Sequence, residues 1–84
     1  MKRVVREYLS SSPFDYVDLV INDVNTTGSI IIGIYSNRDY KIGEAIYDNY
    51  GKLMGGYIGT SGYISSSLDK TLRRVLRHYG YIRT

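Results

Sequence analysis

Two alternating runs separated by a turn govern what this chain can fold into. Across residues 15–24 the apolar positions recur with period two. Val17, Leu19 and Ile21 fall on one side, and Tyr16, Asp18, Val20 and Asn22 on the other. Successive side chains of a strand point to opposite faces, so the pattern reads as a strand with one side in a core. Asp23-Val24-Asn25-Thr26-Thr27-Gly28 is turn chemistry. Residues 29–36 then resume as a β-branched run, Ile30-Ile31-Ile32-Gly33-Ile34-Tyr35, closed by Asn37-Arg38-Asp39. The pair predicts an antiparallel hairpin.

The flanking segments are less one-sided. Val4, Val5, Tyr8 and Leu9 have spacings compatible with one face of a short N-terminal helix, ended by Ser10-Ser11-Ser12-Pro13. A short strand is the alternative. Residues 40–59 carry two conflicting patterns. Ile42, Ala45, Ile46, Tyr50, Leu53 and Met54 form a helical stripe, but Gly43, Gly51, Gly55, Gly56 and Gly59 crowd the same stretch. Asp48-Asn49-Tyr50-Gly51-Lys52 makes a good turn, so a second hairpin with strands at 44–49 and 53–58 is the favoured reading. Ser66-Ser67-Leu68-Asp69 then matches a capping box with Asp in place of Glu. Leu68, Leu72, Val75, Leu76 and Tyr79 follow at helical spacing, and Gly80 stands where a left-handed cap belongs.

These elements predict one α+β domain over residues 1–84. It has two layers: an antiparallel sheet of about four strands, made of two hairpins, with a C-terminal amphipathic helix on one face. The 84 residues contain no cysteine, which excludes disulfides and thiolate chemistry. No apolar run is long enough for a signal peptide or a membrane span, so a soluble, cytoplasmic protein is expected.

The net charge of +3 is unevenly spread. Residues 1–6 carry three cations, residues 7–63 hold seven acids against three bases, and residues 64–84 hold five bases against Asp69 alone. Lys70, Arg73, Arg74 and Arg77 fall on the solvent side of the last helix, where Asp69 can offset them only by pairing with Arg73 at i+4. Arginine suits phosphate and carboxylate alike because its planar fork donates two parallel hydrogen bonds. Lys2, Arg3 and Arg6 extend this patch if the termini are adjacent. A solvated helix surface is the plainer meaning of such a run.

Ten tyrosines, against one phenylalanine and no tryptophan, are the other oddity of composition. Tyrosine offers a large contact area with few rotatable bonds, so an excess favours an interaction surface. Tyr47, Tyr50, Tyr57 and Tyr63, in the glycine-rich half, are the candidates; strand propensity accounts for part of the excess. Catalysis finds little support. His78 is the single histidine, and Asp18 faces opposite to Asp15 and Asp23, which argues against a metal cluster. Gly51-Lys52-Leu53-Met54-Gly55-Gly56 lacks the order of a phosphate loop. No cofactor and no metal are expected.

In overall style the chain resembles small phage-encoded anti-defence proteins such as anti-CRISPR inhibitors: short, rich in tyrosine and glycine, with a charged helix and no catalytic constellation. The likeness rests on composition and layout over the whole chain and carries no residue roles. The expected function is non-catalytic binding to a partner protein or nucleoprotein, acting by steric blocking through Lys70, Arg73, Arg74, Arg77, Tyr47, Tyr50, Tyr57 and Tyr63. The alternative is a nucleic-acid-binding module that sets the basic helix on phosphates and stacks tyrosines on bases. Unpaired sheet edges leave room for a homodimer.

Overall fold

A computed structural model describes residues 2–8, 16–24, 28–37, 40–60 and 62–83, with the side chains of Asp23, Val24 and Asn37 excepted. The tips of the first two connections, at 9–15 and 25–27, fall outside the described residues, as do Arg38 and Asp39. Five strands follow one another: β1 (Lys2–Tyr8), β2 (Tyr16–Val24), β3 (Ser29–Asn37), β4 (Tyr40–Asp48) and β5 (Leu53–Ile58). One helix, α1 (Ser66–His78), completes the chain. The strands lie in sequence order in a single antiparallel sheet. This is the α+β architecture read from the sequence, with five strands where about four were expected.

The extra strand is the N-terminal segment, which corrects the expected short helix. Val4 and Val5 are β-branched and lose side-chain freedom in a helix, while the outer edge of β2 offers a full ladder of partners. β1 pairs with β2 from Lys2 opposite Asn22 to Tyr8 opposite Tyr16. Side chains reinforce the register. The Arg6 guanidinium donates to both carboxylate oxygens of Asp18, at 2.9 and 3.2 Å, and lies 4.1 Å over the Tyr16 ring.

The ambiguous stretch is indeed a hairpin. Asp48 organises its turn: one carboxylate oxygen accepts from the backbone N–H groups of Tyr50 and Lys52, both at 2.9 Å. Gly51 sits at φ 87°, in the left-handed region, and a Cβ there would come within 2.8 Å of the Ile82 side chain. The turn is thus both shaped by glycine and clamped from below by the residues that follow the helix.

Strand alternation builds the core. Val17, Leu19 and Ile21 of β2, Ile30, Ile32 and Ile34 of β3, and Ala45 and Tyr47 of β4 face α1, which supplies Leu68, Leu72, Val75 and Leu76. A bulge between β3 and β4, where Tyr35 faces Lys41 and Ile34 faces Gly43, also turns Ile42 inward. Ser65 caps α1, its hydroxyl accepting from the Leu68 N–H at 3.2 Å. The cap lies one residue before the predicted Ser66, so Asp69 is freed from the capping box. At the other end Gly80, at φ 79°, closes the helix as predicted: its N–H donates to Arg77 and the Tyr81 N–H to Leu76. Among the described residues no helix is long and apolar enough to cross a membrane.

Candidate functional site

Two of the four cations on the predicted basic helix face are paired within the fold. Arg73 pairs with Asp69 at 3.2 Å, the i+4 contact foreseen from spacing. Arg74 reaches across to β1 and donates to the carboxylate of Glu7. β1 and α1 are therefore adjacent, and strand parity splits the N-terminal cations. Arg3 joins the helix side, its guanidinium 4.5 Å over the Tyr79 ring. Lys2 and Arg6 share a parity that sends them to the opposite face. Lys70 and Arg77 remain exposed with no acidic partner among the described residues. They lie two turns apart, about 10 Å along the axis. This is a pair of separate charges rather than a continuous cationic face.

The four candidate tyrosines go to four different environments. Tyr47 is fully buried and lies outside any contact surface, which corrects its place among the binding residues. It stands between Ile30 of β3 and Leu53 of β5, and its hydroxyl donates to Asp69 at 2.6 Å. Burial first, and then this hydrogen bond, push its phenol well above the ordinary tyrosine value. Asp69 thus serves a core tyrosine and Arg73 together, while the Nε of Arg73 is buried without a hydrogen-bond partner. Tyr50 projects from the β4–β5 turn, Tyr63 from the segment before α1, and Tyr57 from β5. Tyr50 and Tyr63 are the more exposed, at 87% and 80%. β5 separates Tyr50 from Tyr57, so these rings do not form one patch. His78 packs edge-on against Tyr79, with ring centroids 4.8 Å apart.

The surface that the sequence reading passed over is the face of the sheet opposite α1. Register places Val4 opposite Val20, and Ile31 of β3 opposite both Asn22 and Ile46. Tyr57 faces Glu44, and Tyr35 faces Asp18 and Lys41. Cross-strand partners share a face, so these residues form rows over one side of all five strands. The Tyr35 ring lies across Gly33, its edge 3.0 Å from where a Cβ would stand. Tyr8 and Tyr16 meet at the β1 corner, ring centroids 6.0 Å apart.

This face has an aliphatic centre and a charged, aromatic border. Val20, Ile31 and Ile46 are half-buried, and Val4 is 63% exposed. Two ion pairs frame them: Arg6 with Asp18, and Lys41 with Glu44 at 2.7 Å. Each hydrogen bond to a carboxylate raises the pKa of its cation above the ordinary value. An antiparallel sheet with one face in water shows polar residues on that face. Here β-branched aliphatics occupy it. A signal was present in the sequence: Ile30-Ile31-Ile32 does not alternate, which is the mark of a strand apolar on both sides.

Among the described residues no three His, Cys, Asp or Glu side chains come together to hold a metal ion, and the phenol of Tyr47 is sealed in the core. Compared with known proteins, the chain matches no family model, no curated sequence and no solved structure.

Proposed function

We propose that this protein is a non-catalytic binding domain that docks on a partner protein, free or within a nucleoprotein, through the uncovered face of its sheet. It acts by covering the partner's surface, the mode implied by its likeness to phage anti-defence inhibitors. The observation that carries this reading is the Ile31–Ile46 and Val4–Val20 pairing on a face that nothing in the described chain covers. Five strands about 4.8 Å apart, with about six residues each at about 3.3 Å, give a projected footprint on the order of 500 Å². Side-chain relief raises the accessible area toward the roughly 800 Å² per partner of a standard interface.

Charge favours a protein over a nucleic acid. On this face Arg6 and Lys41 are already paired to carboxylates, and on the helix Arg73 and Arg74 are paired as well. Phosphate binding draws on cations free to displace counterions, and a strand-stacking platform draws on aromatic rings at its centre, where this face is aliphatic.

Immobilised wild-type protein and two variants, incubated with lysate of the native host, test the reading by difference. Val20→Lys places a charge at the aliphatic centre and is expected to abolish specific retention. The double change Lys70→Ala and Arg77→Ala is expected to preserve it. The reverse pattern, with a salt-sensitive shift of single-stranded DNA lost in the helix variant, moves the function to the basic helix.

A further inference from the structure

The face of the sheet opposite α1 changes sign across β3. By register, its β1–β2 half carries Lys2, Arg6 and Asp18, two cations against one acid. Its β4 half carries Lys41, Glu44 and Asp48, one cation against two acids. The residues of β3 between them, Ile31, Gly33 and Tyr35, are uncharged. This midline is also low in profile, since Gly33 is buried and the Tyr35 ring lies across it.

A face divided in this way is complementary to itself. Turning a second copy about an axis that runs along β3 keeps each row level and exchanges the two halves. β2 then lies over β4 of the other copy and β1 over β5, while Ile31 meets Ile31 on the axis. Asp18, Tyr35 and Lys41 share one row, so each Asp18 comes over the Lys41 of the other copy. Val4, Val20, Gly33, Glu44 and Tyr57 share the next, so each Val4 comes over a Tyr57. An axis across the strands would instead lay β1 on β1 and set the cationic halves together.

We infer that two copies of this chain pair face to face through the side of the sheet opposite α1, about a two-fold axis along β3. The contact uses the same patch on both copies and closes after two. Stacked sheets lie about 10 Å apart with strands within about 30° of each other, so the rows stay in register near the axis. The footprint, on the order of 500 Å² in projection and rising toward roughly 800 Å² with side-chain relief, matches what each side of a standard interface supplies. The pairing rests on the reading of this face as a contact surface and names its occupant when no partner is bound. Pairing and docking then exclude each other.

Sedimentation of the full chain from about 1 to about 200 μM, bracketing micromolar dissociation, tests the inference. The mass is expected to rise from 9.6 kDa toward twice that value. Ile31→Lys sets two cations against each other on the axis and is expected to weaken pairing at least about a hundred-fold. Cross-linking then locates the axis, because the chain has no cysteine of its own. The two thiols of Ile31→Cys face each other across the axis, whereas those of Val4→Cys stand about 19 Å apart, four strand spacings. A short bismaleimide is expected to join copies through position 31 and not through position 4, although Val4 is 63% exposed and Ile31 half-buried. A wild type that stays monomeric throughout overturns the inference, as does a dimer that Ile31→Lys leaves intact or that cross-links through position 4 instead of 31. The two readings of the face fail separately. A monomeric wild type that still retains a host protein ends the pairing and leaves the docking, and a dimer that retains none does the reverse.

Discussion

The two faces of the sheet are built from the same kinds of residue and meet different fates. On the covered side Leu19, Ile21, Ile32 and Ile34 are at 0% exposure beneath α1. On the other side Val20, Ile31 and Ile46 are half-buried, with no described element packed over them. β3 shows the contrast within one strand, since Ile30 and Ile32 point into the core while Ile31 points out. The lesson is that side-chain chemistry alone does not separate a core from a contact surface; the difference lies in which face the single helix covers. Tyrosine repeats it. Tyr47 of β4 anchors the core through Asp69, whereas Tyr57 on the neighbouring strand stands at the open face.

The sharpest test of this contrast is a matched pair of truncations. Leu72→Ala, in the helix layer at 0% exposure, is expected to cost about 2–5 kcal/mol, read from the urea midpoint. Ile31→Ala on the open face is expected to cost about 1 kcal/mol or less, because little surface returns to water. Equal costs at dilute concentration would break the distinction between the faces.

Gly51→Ala probes the clamp that ties the β4–β5 turn to the covered side. A left-handed φ and the contact with Ile82 together predict a loss of about 1–3 kcal/mol. Thermal melting of the variant checks this. A loss below about 0.5 kcal/mol would mean that Ile82 shifts without penalty.

Tyr47→Phe sharpens the comparison through pH. At neutral pH the loss of the hydrogen bond to Asp69 is expected to cost about 0.5–1.5 kcal/mol. The folded state holds the phenol proton above its ordinary value, while the unfolded chain releases it near pH 10. Stability from this group is therefore complete below about pH 10. It falls by about 1.4 kcal/mol per unit as the pH rises further. Urea midpoints from pH 8 to 11.5 should show this alkaline slope in the wild type and a shallower one in the variant. Identical slopes would mean that Tyr47 ionises freely in the fold.

The smallest effect belongs to the helix surface. Lys70→Ala with Arg77→Ala is expected to change stability by no more than about 0.5 kcal/mol, because neither side chain has an acidic partner among the described residues. A larger loss in thermal melting would assign these cations to packing.

Much of the fold was legible where one pattern had one meaning. The alternation of Val17, Leu19 and Ile21 could only face one way, and Leu68, Leu72, Val75 and Leu76 repeat with the period of a helix. β1 was not legible, because Val4, Val5 and Tyr8 fit a helix face as well as an edge strand, and the decision came from β2. The candidate site fared less well. Tyr47 shares parity with Ala45, so its burial could be read once the second hairpin was accepted. The pairing of Arg74 with Glu7 could not, since 67 residues separate them and only the sheet brings them together.

By itself the sequence determined the two hairpins, the helix and the apolar sides of β2 and α1, because backbone periodicity ties side-chain direction to position. Only the tertiary structure decided which apolar side became the core and which charges cancelled. Those outcomes depend on where a single helix lands on a sheet with two hydrophobic faces, and contacts between distant residues settle that placement.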